Sequence, residues 1–262
     1  MRKIGINLDA YLNIPDEEYV ARIAELGFET TFCMTRDDEV LAKRKELLDQ
    51  YGITCETLHA PFRKINDMWR SDSRGENTLN ELKESVDKCA IVDSHILVVH
   101  LSSGANPPTL TEIGRMRFDA LIQYAMRKNV CLAFENQRRL DNLAWVMENY
   151  QDNPCVAFCW DCGHENCFTP RWEYMPLFGN RLVCTHIHDN MGPTKDEHLI
   201  PFDGNNDFAR KAELLKKSGF EGSLMLELSR KSSDRYTDLS WEEYSQRAAD
   251  AAKKLRAMVD GE

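Results

Sequence analysis

The chain has 262 residues, 42% of them hydrophobic and 29% charged, with a formal net charge of -10 and a pI near 5.3. That is enough material for one large buried core. The acidic balance argues against nucleic acid or an anionic membrane as partner, and no apolar run approaches a membrane span.

Nine cysteines occur in a chain whose first residues, MRKIGINLDAYLNIPDEE, turn polar too soon for a secretory leader. Reduced thiols and a cytoplasmic location are therefore expected.

Short apolar runs rich in β-branched and aromatic residues alternate with longer segments of helical period. KIGIN (residues 3–7) is the first strand candidate. A helix follows with Pro15 in its first turn, Val20, Ile23, Ala24 and Leu26 on one face, and Gly27 as its stop. ETTFCM is the second strand, residues 37–51 form a helix ending at Gly52, and ITCETLHAPF is the third strand. Leu79, Leu82, Val86 and Cys89 mark the next helix, and HILVVHL is the fourth strand. Phe118, Leu121, Ile122 and Ala125 mark a helix before the fifth strand, VCLAFEN. Leu143, Val146 and Met147 sit in a helix before the sixth, CVAFCWD. A short helix over residues 172–178 leads to RLVCTHIHDN, the seventh. FARKAELLKKSG is a helix with a glycine stop, and SLMLELS is the eighth strand. Ser240 with Glu243 forms a capping box for a last helix carrying Trp241, Tyr244, Ala248, Ala251, Leu255 and Met258.

Eight strand-helix units in this length predict a single-domain (β/α)8 TIM barrel over residues 1–262. ELGFETTF, QYGITCETL and KSGFEGSLMLEL repeat the order helix end, glycine, strand. A doubly wound open sheet alternates in the same way, so the count does not by itself close the barrel. Two long polar loops, 63–77 and 189–206, follow strands and belong on the side where barrels keep their active sites. Met68 and Trp69 in the first of these are candidates for a lid.

The strands finish on polar residues. The third ends in His59, the fourth in His100, the fifth in Glu135 and the sixth in Asp161, with His164 just beyond. The seventh ends in His186 and His188, and the eighth in Glu227. A charge closing an apolar strand is costly unless it is paired or bound to a metal. Six consecutive strands with this ending point to one shared mouth.

Within CVAFCWD, alternation puts Cys159 and Asp161 on one face and Phe158 and Trp160 on the other. Cys162 then falls in the turn. The Cys159–Cys162 pair is thus not placed as a redox pair at a helix start, nor as half of a zinc knuckle with His164 and Cys167. Asp161 is the residue that matters here, with His164 second.

The strand-end motifs AFEN, CWDCGH, HIHD and LMLEL together resemble the sugar isomerase/epimerase superfamily of xylose isomerase-like, AP endonuclease family 2-like barrels. The resemblance covers essentially the whole chain, one short motif per strand. It implies a single divalent cation held by Glu135, Asp161, His186 and Glu227, with His186 chosen over His188 because the family pattern reads His-x-x-Asp/Glu.

Three carboxylates and an imidazole suit Mn²⁺ or Mg²⁺, with Co²⁺ or Zn²⁺ as options. Such a site polarises the carbonyl of an α-hydroxyketone, and a nearby carboxylate can then move its α-proton. Glu135 and Glu227 are the acid/base candidates. His164, His100, His59 and Arg230 are the substrate-contact candidates. The implied substrate is a small sugar or sugar phosphate. Arg138, Arg139, Lys195 and Arg230 lie near strand ends as possible phosphate partners. Barrels of this family often pair, which leaves a homo-oligomer open.

Three alternatives stand beside an isomerase or epimerase. A keto-sugar lyase or dehydratase uses the same metal and bases. A trinuclear-zinc AP endonuclease is favoured by His59, His100, His164 and the Asp196-x-His198 pair, and opposed by the acidic charge. A non-catalytic barrel predicts an incomplete set of strand-end residues.

Overall fold

The computed structural model describes residues 1–10, 12–193 and 195–261. Each apolar run becomes a strand. These are β1 (Ile4–Asn7), β2 (Thr30–Met34), β3 (Thr54–His59), β4 (Ile96–Val99), β5 (Cys131–Glu135), β6 (Val156–Asp161), β7 (Leu182–His186) and β8 (Leu224–Leu226). The helices between them are α1 (Asp16–Glu25), α2 (Asp38–Gln50), α3 (Ser73–Lys88), α4 (Glu112–Arg127), α5 (Leu140–Asn149), α6 (Cys162–Phe168), α7 (Met175–Phe178), α8 (Phe208–Ser218) and α9 (Trp241–Asp260).

All strand pairs are parallel, in the order β7-β6-β5-β4-β3-β2-β1-β8. The sheet closes where Ile187 bridges Leu226: Ile187 N–H donates to Met225 O at 2.8 Å, and Glu227 N–H donates to Ile187 O at 3.0 Å. Closure settles the choice between barrel and open sheet, because it leaves no edge strand. The chain is a (β/α)8 barrel.

Alternation sorts the side chains. Phe158 and Trp160 of β6 pack outward in the large core under the helices, while Cys159 joins Val98, Ala133 and Cys184 in a small cluster inside the barrel. Small side chains fit there because eight strands leave little interior room.

Helix ends follow the expected chemistry. Gly219 stops α8 at φ 71°, and the Ser240–Glu243 capping box opens α9. Among the described residues, no helix is long and apolar enough to cross a membrane.

Two local expectations are corrected. Met68 and Trp69 are no lid. Both are buried, and Trp69 donates its indole N–H to Leu101 O at 2.6 Å and packs on Phe118. A tryptophan in a polar loop suggests a lid, but the loop folds into a 3-10 turn (Ile65–Trp69) that tucks this side chain under α4. Cys162 is not in a turn but is the first residue of α6, whose N-cap is Asp161. Seven residues are too few to show a helical period.

Candidate metal centre

The strand ends converge at one mouth of the barrel. Glu135, at the end of β5, lies at its centre. Its Oε2 is 3.2 Å from His59 Nε2, 3.1 Å from His100 Nε2 and 3.3 Å from His186 Nδ1. Its Oε1 is 2.8 Å from His164 Nδ1 and accepts from Gln137 Nε2 at 3.0 Å.

His186 Nδ1 also lies 3.3 Å from Glu227 Oε2. To one side, His188 Nε2 is 3.1 Å from Asp161 Oδ1, and Asp196 Oδ2 lies 3.3 Å from His164 Nε2 and 3.1 Å from His198 Nε2. The imidazoles of His188 and His198 stack with centroids 4.0 Å apart. The chain has seven histidines and six of them (59, 100, 164, 186, 188 and 198) are here, leaving only exposed His95 elsewhere.

Among the described residues, five groupings hold donor atoms within 4.8 Å of one another: Glu135, Asp161, His186 and Glu227; His59, His100 and Glu135; His164, His188, Asp196 and His198; His59, His186 and Glu227; and Glu135, Cys159 and His186. The first is the set the sequence motifs proposed. Asp161 Oδ2, both ring nitrogens of His186, His188 Nε2, Asp196 Oδ1 and Glu227 Oε2 are buried with no hydrogen-bonding partner. Several lie close to an oppositely charged atom yet are aligned with none. A buried polar atom without a partner is costly. Atoms that converge on common points in this way fit a bound cation. The set exceeds what one ion can use, since a divalent ion takes about four to eight ligands and four carboxylates here leave charge for more than one.

The electrostatics follow from this crowding. Burial pushes the Glu135 carboxyl up, but the surrounding imidazoles of His100, His164 and His186 reverse this and hold it well below the usual range. Burial disfavours charge on His164 and His186, yet facing carboxylates raise both well above the ordinary value: Asp161 and Asp196 for His164, Glu227 and Glu135 for His186. His198 is pushed up to about 10 against the same burial cost, chiefly by Asp196. Protons balance the carboxylates where cations do not, so a bound ion displaces them.

A supporting layer fixes these groups. Asn136 clamps the backbone of Asp161 by two hydrogen bonds of 2.8 Å. Asp161 Oδ1 also caps α6 by accepting from His164 N–H at 2.6 Å. Asp189 gathers the backbone N–H groups of Asn190, Gly204 and Asn206 and so folds the loop that carries Asp196 and His198 back over the mouth. Gly163 is required by contact: a Cβ there would lie 2.0 Å from the ring of His188.

Asn136 and Gln137 are functional neighbours that no strand-end pattern singles out, and Asp189, the acid of the His-x-x-Asp motif, proves to organise the loop. The only trace of the first two was the polar run ENQ closing β5.

The other candidates fall in several places. His59, His100 and His164 are buried against Glu135. Arg230 turns away and donates to the carbonyls of Leu239 and Tyr236. Cys159 lies beneath the centre, with Glu135 and His186 within reach. Cys162 packs its thiol near His188 O at 3.7 Å, and all nine cysteines are free.

A cavity of about 640 Å³ adjoins the centre at Glu227 and His198, with Phe32, Phe62, Asn7 and Asp9 among its other walls.

The profile of the xylose isomerase-like TIM barrel family matches residues 20–258. The chain belongs to that family. It is 29% identical over 208 residues to the uncharacterized protein y4fM of Sinorhizobium fredii, covering 74% of this chain and 65% of that protein. The chain thus spans just under two thirds of that relative's length. It is 23% identical over 248 residues to the uncharacterized protein MJ1311 of Methanocaldococcus jannaschii, covering 86% of this chain and 83% of that one.

Among solved structures, D-psicose 3-epimerase from Clostridium cellulolyticum H10, determined with D-tagatose, superposes with a TM-score of 0.79 at 16% identity and 99% coverage of both chains. The 3-keto-D-glucoside 4-epimerase YcjR from E. coli gives 0.73 at 18% identity, covering 98% of this chain and all of that one. At these identities the likeness is one of fold.

Proposed function

We propose that this protein is a divalent-metal-dependent sugar isomerase or epimerase that moves a proton next to a carbonyl in a small sugar derivative. The observation that carries this reading is the grouping of Glu135, Asp161, His186 and Glu227 around unpartnered buried atoms, with Glu227 also lining a cavity of about 640 Å³, roomy enough for a sugar derivative. The sugar epimerases that share the fold support it.

These four side chains would hold the cation. When bound, it polarises the substrate carbonyl and stabilises the charge that develops on its oxygen. Glu227 is the carboxylate of this set that lines the cavity, so it takes the α-proton; an isomerase delivers that proton to the neighbouring carbon, and an epimerase needs a second acid to reprotonate the opposite face. Glu135, buried against four imidazoles and Gln137, is both a ligand of this set and the candidate for that second acid/base. His198, which also lines the cavity, then orients a substrate oxygen. A lyase would begin with the same proton abstraction and differ only in expelling a β-substituent.

A second reading, metal-assisted phosphoester hydrolysis, is favoured by one observation: further donor groupings beside the first, among them His59–His100–Glu135 and His164–His188–Asp196–His198. The cavity and the charge of -10 speak against a nucleic-acid substrate for such chemistry.

The experiment is NMR detection of solvent deuterium entering a panel of ketoses, with protein loaded with Mn²⁺ or Zn²⁺ and metal content measured in parallel. Metal-dependent exchange that falls roughly 100-fold or more in Glu227→Gln supports the sugar reading. No exchange from fully loaded protein, with turnover of phosphoesters that is lost in Asp196→Asn, would replace it with the hydrolase.

A further inference from the structure

The cations suggested by the sequence as phosphate partners are all engaged elsewhere. Arg139 pairs with Asp141, Lys195 with Glu197, Arg138 lies over the Phe168 ring at 3.5 Å, and Arg230 serves two carbonyls. The cavity wall carries a different set: Arg36 after β2, and Arg63 with Lys64 after β3. Arg36 is committed to Asp9 at 2.8 Å, and Asp9 is further matched by Arg44 at 3.3 Å. Among the described residues, neither Arg63 nor Lys64 has an ion pair or a side-chain hydrogen bond, and both are exposed. Glu81 is the remaining acid on this part of the wall.

The turn that carries these two cations is tied down on both sides. Just before them, Phe62 stacks on His100 at 4.6 Å and meets His59 edge-on at 5.6 Å. Just after them, Ile65 is fully buried. Asn66 then exchanges two hydrogen bonds with the backbone of Ser103, at 2.8 and 2.9 Å. Arg63 and Lys64 are thus two adjacent, unneutralised cations fixed at the cavity wall in a protein of net charge -10. The same cavity reaches Glu227 and His198. A ligand spanning it has one end at the metal centre and the other at these cations.

We infer that the mouth takes substrates bearing an anionic group, phosphate or carboxylate, at the end remote from the reacting carbonyl, and that Arg63 and Lys64 bind it. This rests on the proposed sugar chemistry and names its substrate class. Arginine supplies a fork of donors and lysine a point charge, a pairing suited to either anion.

The test is isothermal titration calorimetry of the Mn²⁺-loaded protein against matched neutral ketohexoses, their 6-phosphates and keto-uronates, repeated with Arg63→Gln/Lys64→Gln. Both substitutions lie on exposed side chains outside the metal centre. We expect a charged member of the panel to bind roughly 10- to 100-fold more tightly than its neutral counterpart, as one or two charge-assisted hydrogen bonds provide. The phosphate and uronate arms identify the anion. In the double variant that advantage disappears, while neutral-sugar affinity and Mn²⁺ content stay unchanged. Equal binding of neutral and charged sugars by the unsubstituted protein overturns the inference and leaves the ketose reading standing. A charge preference that survives in the double variant overturns the assignment to these residues. Binding of no sugar in the panel removes the ketose reading and this inference together.

Discussion

Asp9 shows how a single half-buried carboxylate links the mouth to overall stability. Burial pushes its carboxyl up, but Arg44, Arg36 and the Met34 N–H outweigh that and leave it below its ordinary value. A depressed folded value means stability that is fully present above the unfolded value, about 3.9, and is lost as pH falls through the folded one. The acid limb of stability should therefore be shallower in Asp9→Asn than in the parent. Urea midpoints measured from pH 7 down to pH 2 check this, and parallel curves would exclude Asp9 as a contributor.

Gly163 allows a sharper test, because the obstacle to a side chain there is the His188 ring itself. Gly163→Ala should displace His188 and weaken metal binding at the His164–His188–Asp196–His198 grouping, with an overpacking cost of about 1–3 kcal/mol. Metal analysis of the variant beside the parent reads this directly. An unchanged ion count and affinity would mean that His188 holds no metal.

Among the elements, α6 is a short helix that carries a residue of the candidate centre. It has only seven residues, far short of what an isolated helix needs. It is held from both ends. Asp161 caps its start, and Glu165 within it receives Lys211 Nζ from α8, Trp160 Nε1 from β6 at 3.0 Å and the Tyr174 N–H at 2.9 Å. Every oxygen of that buried carboxylate is used, which is the condition under which a buried ion pair is tolerated.

Lys211→Met strands the Glu165 charge and should cost about 3–5 kcal/mol in chemical denaturation. Adding Glu165→Gln to it should recover part of the loss. A cost below about 1 kcal/mol, the range of an exposed pair, would show that the pair does not anchor α6. His164 lies beside Glu165 on the same short helix, so the ion pair also holds a donor of the candidate metal centre in place.

For the molecule as a unit, the charge gathered at the mouth predicts that cations stabilise the fold. Four carboxylates (Glu135, Asp161, Asp196 and Glu227) meet where the strands end, and the unfolded chain has no such site. An ion that binds only the folded state raises stability by about 2.7 kcal/mol at a hundred times its dissociation constant. Chelator-treated protein should accordingly melt lower than protein given Mn²⁺ or Zn²⁺. In calorimetry the shift should grow with the logarithm of ion concentration and shrink in Asp161→Asn. A melting temperature indifferent to both ions would contradict a native metal centre.

Much of this was legible in the linear chain, because its marks are local. A strand announces itself by apolar alternation, and a histidine or carboxylate closing it stands out against that background. Hence the eight units and the strand-end residues from His59 to Glu227 could be named from composition and period alone. What remained hidden depends on where loops travel. Trp69 reads as a loop residue until α4 is seen to cover it. The Asp196-x-His198 pair could be named as a candidate, but its arrival at the mouth depends on Asp189 folding the loop back, and Arg63 and Lys64 face the cavity only because Phe62 and Ile65 pin the turn on either side. Closure itself was decided at one non-local bridge, Ile187 to Leu226. The period of a segment is set by its own backbone geometry, whereas the meeting of distant segments is set by packing that no single segment contains.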